Sequence, residues 1–266
     1  MKIKNFLCEF EKFAPKNLAL SFDNIGLLIG DLESEINGIY VSLDVNDDVI
    51  EKAKQLNLNT IISHHPVVFN ALKQIVDSDV NGKKIIKLLK YGINVISYHT
   101  NLDATVGGMN EELVNILDFK YKDLEILEIN KIDSRCGIGR ILNLSSGLNI
   151  DYVVERVKTK LNIDNLRFID SGNGLYFNKL CLINGSGNGI VKDCYDKGID
   201  LIITGDVSYH TAFDAIEKGI SILDIGHFNS ENIIYKNVIR KFINKIVGID
   251  FKIYYDELLC DVYKYL

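Results

Sequence analysis

The stretch IYVSLDVNDDVIEKAKQLNLNTIISHHP, Ile39 to Pro66, reads as strand, helix and strand in immediate succession. IYVSLDV and NTIIS are short β-branched runs of strand length, and NDDVIEKAKQLN between them carries its apolar residues at helical spacing. Working outward, GKKIIKLLKYG (Gly82 to Gly92) reads as a second helix and INVIS (Ile93 to Ser97) as a third strand. The same order returns later as KLCLING, GIVKDCYDKG, DLIIT, TAFDAIEKG and ISILDI. Each run is preceded by a helix and a strand, Lys4 to Phe13 with Gly26 to Gly30 in one case, Ile150 to Leu161 with Leu166 to Asp170 in the other. Each is followed by a helix and a short strand, EILEI and DFKIYY. Strands alternating with helices predict an α/β fold with mostly parallel sheets, and the repeated grammar predicts two related, duplicated units. The boundary falls near residue 130, giving units over 1–130 and 131–266, with terminal elements free to pack on the other unit. A cleft between two such units is a favoured place for a site.

The composition, 47% hydrophobic and 25% charged, is that of a globular chain with a sizeable core. No segment approaches the roughly 18 to 20 uncharged apolar residues of a membrane span, and the charged N-terminus is unlike an export signal. Cys8, Cys136, Cys181, Cys194 and Cys260 are odd in number and form no CxxC pair, which points to buried thiols in a reducing cytoplasm. A net charge of -6 without a basic block argues against a nucleic-acid surface and leaves room for a small ligand.

Chemistry concentrates in the histidines. His64 and His65 follow one strand, His99 follows another, and His210 and His227 lie just beyond two strands of the second run. All five sit at the carboxyl ends of predicted strands, the edge where α/β sheets bind ligands. Asp103, Asp206 and Glu231 share that edge. Neighbouring side chains in extended chain point to opposite sides, so His64 and His65 each suit a different one of two neighbouring ions. Pro66 keeps His65 extended. Glu231 falls in the first turn of a helix predicted to start near Asn229 or Ser230, and Asp103 in the loop before a helix starting near Asn110. Imidazole with carboxylate is the donor mix of zinc, manganese, iron or cobalt sites rather than calcium. Taken singly, each histidine is as well explained by a hydrogen-bonded structural role; together they favour a metal site.

The motifs IISHHPVVF, YHTNLDA, TGDVSYH and GHFNSE, with LSFDNIGLLIG and SLDV before them, resemble those of the GTP cyclohydrolase 1 type 2 family, also described as dinuclear-metal-centre hexameric proteins. The likeness spans essentially the whole chain, with Phe22 standing where tryptophan is usual in the family. It implies that His64, His65, Asp103, His227 and Glu231 hold two divalent ions, that a carboxylate bridges them, and that the chain forms a toroidal homohexamer. It also implies a hydrolase that opens the imidazole ring of GTP with release of formate. His99 and His210, outside that ligand set, are candidates for proton transfer, and a backbone-bonded structural imidazole is the equal alternative for each. Asp206 either orients a ligand or substrate group or caps a helix. The loop NGSGNG, Asn184 to Gly189, is a tight turn first and a phosphate contact second, since no GK[ST] follows it. Two other functions remain open: a two-metal hydrolase of phosphate esters or amides, and a non-catalytic metal-binding scaffold.

Overall fold

The computed structural model describes residues 1–265. In chain order its elements are α1 (Ile3–Phe10), β1 (Gly26–Ile29), β2 (Gly38–Ser42), α2 (Asp47–Gln55), β3 (Thr60–Ser63), α3 (Val80–Tyr91), β4 (Asn94–Ser97), α4 (Thr100–Ala104), α5 (Met109–Leu117) and β5 (Tyr121–Ile129). There follow β6 (Gly137–Asn149), α6 (Ile150–Leu161), β7 (Arg167–Ile169), β8 (Tyr176–Ser186), β9 (Leu201–Gly205), α7 (Tyr209–Glu217), β10 (Ser221–Asp224), α8 (His227–Ile243) and β11 (Lys252–Tyr255). None of the described helices is long and apolar enough to cross a membrane.

The chain divides into two compact units. The first comprises Met1–Thr105 and Tyr235–Cys260. The second comprises Val106–Ile234 and the residues from Asp261 onward. The change of unit falls at Thr105, and the C-terminal part of α8 with β11 belongs to the first unit. The reason is strand pairing. β5 forms an antiparallel hairpin with β6 in the second unit, while β11 pairs in parallel with β2 in the first.

In the first unit the sheet order is β1-β4-β3-β2-β11, parallel except for β1 against β4. Every residue of β2, β3 and β4 is buried, so these strands read as continuous apolar runs rather than alternating ones. The Asn46 side chain accepts from the Val49 amide and starts α2, with Asp47 and Asp48 in its first turn. Asp79 does the same for α3 through the Asn81 and Gly82 amides, and Gly92, at φ 64°, ends that helix in the left-handed conformation. Val49, Ile50 and Ala53 of α2 and Ile85 and Leu88 of α3 join Tyr40, Ile61 and Val95 in one core cluster. Each such side chain contributes about 1.5–3 kcal/mol by burial.

In the second unit the order is β5-β6-β8-β9-β10-β7. Only the β8-β9 and β9-β10 pairs are parallel, and the other three are antiparallel, so the expectation of a mostly parallel sheet holds for the first unit and not for this one. The duplication is nevertheless visible. β7-β10-β9-β8 repeats the order of β1-β4-β3-β2, with the outer strand antiparallel to its neighbour in both. The core here packs Cys181, Ile183, Ile202 and Ile222 against Val191, Cys194 and Ala215. GIVKDCYDKG, expected as a helix, forms only a 3-10 turn over Val191–Cys194. All five cysteines are free, and Cys8 and Cys260 are exposed rather than buried.

Candidate metal centre

In the first unit the donors stand at the carboxyl ends of β3 and β4. The Leu43 carbonyl, just past β2, accepts from both His64 and His65 amides, at 3.2 and 3.0 Å, and fixes the exit of β3. His64 is fully buried. Its Nδ1 lies 2.8 Å from the carbonyl of Tyr98, and since a carbonyl can only accept, that nitrogen carries the proton. In the neutral ring Nε2 is then the lone-pair nitrogen, and it faces Asp103 Oδ1 at 3.6 Å. His65 repeats the arrangement through Asp44, whose Oδ1 is 2.8 Å from Nδ1. His99 repeats it again, with Asp23 Oδ1 at 2.9 Å. One donor atom each of His64, His65 and His99 lie within 4.8 Å of one another. Asp103 sits in the short helix α4, its amide bonded to the His99 carbonyl, rather than in an irregular loop.

Asp23 anchors this corner. Burial pushes its carboxyl up, but hydrogen bonds from His99 and from the Thr100 hydroxyl and amide outweigh burial and hold it down at about 2. Phe22 beside it is exposed and meets the edge of Phe69, at 6.2 Å between ring centres.

In the second unit the donors lie on α8, which starts at His227 itself, two or three residues earlier than predicted. Glu231 is therefore one full turn beyond His227, not in the first turn, and the i,i+4 spacing sets both on one helix face. His227 Nε2 is 3.0 Å from Glu231 Oε2, while Nδ1 is 2.7 Å from Asp206 Oδ2. An imidazole between two carboxylates is satisfied either as an imidazolium or by a cation on one side. Asp206 reaches His227 from the left-handed region, φ 54°, immediately after β9. Asn184 donates to Glu231 Oε1 at 3.3 Å.

The NGSGNG loop has a packing role in this corner. The Gly185 amide donates to Ser230 Oγ at 2.8 Å, and Ser230 Oγ donates to the His227 carbonyl. A Cβ at Gly185, whose φ is +64°, would lie 2.2 Å from Glu231 Oε1. One at Gly205 would lie 2.6 Å from the His227 nitrogen. Both glycines are needed for the close approach of backbone to site.

The donor chemistry fits divalent metal ions. Two ligands each about 2.0 to 2.2 Å from one ion stand roughly 3 to 3.6 Å from each other, the range of the His64–Asp103 and His227–Glu231 separations. His64, His65, His99 and His227 each have Nδ1 held by an acceptor, the usual arrangement behind ligand imidazoles. His210 is different: it is exposed on α7, edge-on to Tyr209, and lies outside the donor groups found among the described residues. Sequence reasoning had found Asp206 but missed Asp44 and Asp23. Both lie in motifs it quoted, SLDV and LSFDNIG, but nothing in one dimension pairs them with His65 and His99.

The fold and these groups define a two-sheet α/β protein with imidazole and carboxylate groups that could hold a metal ion. The chain belongs to the Duf34/NIF3 (NGG1p interacting factor 3) family, whose model matches residues 1–257. It is 41% identical over 231 residues to a GTP cyclohydrolase 1 type 2 homolog of Clostridium perfringens, covering 87% of each chain. It is 39% identical over 232 residues to one of Clostridium acetobutylicum, covering 87% of this chain and 85% of that one. Among solved structures it is similar to a Staphylococcus aureus hypothetical protein, with TM-score 0.88, 27% identity and coverage of 100% and 99% of the two chains. Reduced HcgD of Methanocaldococcus jannaschii superposes with TM-score 0.81 at 27% identity, covering 96% and 97%.

Proposed function

We propose that the chain is a dinuclear metal-dependent hydrolase that opens the imidazole ring of a purine nucleotide, GTP in the first instance, and releases formate. His64, His65, Asp103, His227 and Glu231 would hold the two ions, with a carboxylate bridging them. The observation that carries this reading is the shared anchoring: four imidazoles each have Nδ1 tied to a carbonyl or carboxylate, as imidazoles that ligate a metal through Nε2 do. Zinc, manganese, iron and cobalt all suit that donor set. Two such ions would supply Lewis-acid activation of a water near neutral pH.

The chain's own residues do the rest. Asp44 and Asp206 keep His65 and His227 in one orientation and raise their basicity as ligands. His99, beside His64 and His65 and oriented by Asp23, would take a proton at Nε2 from the attacking water and hand that proton to the departing nitrogen. The names of the relatives support a small-molecule substrate. The family resemblance supports a homohexamer, which would appear in light scattering as a mass six times that of the chain. Five free cysteines suit a reducing cytoplasm.

The test is to incubate metal-loaded protein with GTP and assay formate and a pterin product. Formate in stoichiometric amount supports the reading. Metal uptake with no formate over several metals sinks the substrate. Hydrolysis of phosphate esters or amides instead would make the protein a different two-metal hydrolase, and no turnover at all a metal-binding scaffold. His99→Ala is expected to lose turnover while retaining metal.

A further inference from the structure

The second unit contains a cavity of about 670 Å³ whose lining includes Arg167, Asp206, Tyr209, Tyr263, Lys264 and Tyr265. Its volume is in the range of small-molecule sites. The three tyrosines are exposed to 77%, 67% and 55%, an unusual concentration of open aromatic rings around one hollow. Tyr209 is braced by Phe213, whose ring stacks with it at 6.5 Å, and still leaves most of its surface open. Arg167 is anchored but not used up. Its Nη2 donates to the Val207 carbonyl at 3.1 Å and to Asp224, while Nε and Nη1 make no hydrogen bond among the described residues and the side chain is 62% exposed. Asp224 is buried and also accepts from the Val207 and Gly226 amides, so the guanidinium is held at one end on a rigid strand terminus. Lys264 is exposed and also lines the cavity, and no ion pair involves it among the described residues. Asp206 forms another part of the lining, and its Oδ2 is the atom that holds His227 Nδ1.

We propose that this cavity binds the purine nucleotide, its ring stacked on a tyrosine face and its phosphates taken by Arg167 and Lys264. Flat π-faces hold bases by stacking. A guanidinium with two donors unengaged suits phosphate oxygens, and an ammonium adds a second point charge. Asp206 links the two functions, since a ligand in the cavity touches the residue that orients His227. The inference rests on the proposed function only for the choice of a purine as the ring.

Isothermal titration of the full-length, metal-loaded chain with GTP, guanosine and inorganic tripolyphosphate tests it. Tyr209→Ala and Tyr263→Ala are expected to weaken GTP and guanosine about tenfold, Lys264→Ala and Arg167→Ala to weaken GTP and tripolyphosphate by a similar factor, with metal content unchanged in all four. Arg167→Ala leaves Asp224 without its cation and so risks the fold; Lys264→Ala, at an exposed position, carries the same test without that risk. GTP binding unchanged in the tyrosine and Lys264 variants overturns the site, as does a wild-type chain that binds none of the three probes. Failure of the proposed function looks different: GTP binds, the variants weaken it, and the wild type releases no formate.

Discussion

Asp44, Asp23 and Asp206 hold the Nδ1 atoms of His65, His99 and His227. Removing the charge while keeping the shape, Asp44→Asn or Asp206→Asn, is expected to lower divalent-metal affinity about 10- to 100-fold, read by competition with a chromophoric chelator. Asp23 adds a pH dependence. Its folded carboxyl sits at about 2 against 3.8 when unpaired, so its contribution is complete above the higher value and is lost as pH falls from about 4 towards 2. Acid unfolding should therefore lose roughly 2 kcal/mol over that window, a component that Asp23→Asn removes. Gly185→Ala places a methyl group against Glu231 and strains a left-handed residue; metal retention should fall, together with about 1–3 kcal/mol of stability in denaturant titration. At this scale the sequence was informative where residue type alone carries the meaning, as in His64 and His65 before Pro66. It was silent where a partner lies 21 or 76 residues away, as Asp44 does from His65 and Asp23 from His99.

The elements were legible to the extent that burial is periodic or continuous along the chain. β2, β3, β4, β9 and β10 are buried on both faces and announce themselves as apolar runs. The start of α8 was not legible, because His227 has a helical role fixed by Glu231 one turn on and by Ser230 closing back on the His227 carbonyl. The segment around Val191 was misread for a related reason. Val191 and Cys194 are buried in the core, a spacing that one 3-10 turn satisfies as well as a helix does. A helix start remote from the donors provides a control. Asp79→Ala removes the side chain that caps α3 and should cost about 1 kcal/mol in thermal unfolding while leaving metal binding as in the wild type.

For the whole molecule, the repeated strand order made the duplication readable, and pairing partners made the boundary unreadable. Nothing in DFKIYY says that β11 joins β2 of the first unit, nor in EILEI that β5 pairs with β6, since a strand's own pattern specifies its faces and not its neighbour. The central proposal, that His64, His65, Asp103, His227 and Glu231 hold one pair of ions, is a claim about stoichiometry and mutual dependence. It is tested most directly by elemental analysis of the purified chain after saturation with zinc or manganese, compared with His64→Ala and Glu231→Gln. The account predicts about two ions per chain in the wild type and weakened binding of both ions in each variant. A chain that binds no divalent metal, or two variants that each lose one ion without weakening the other, would contradict it.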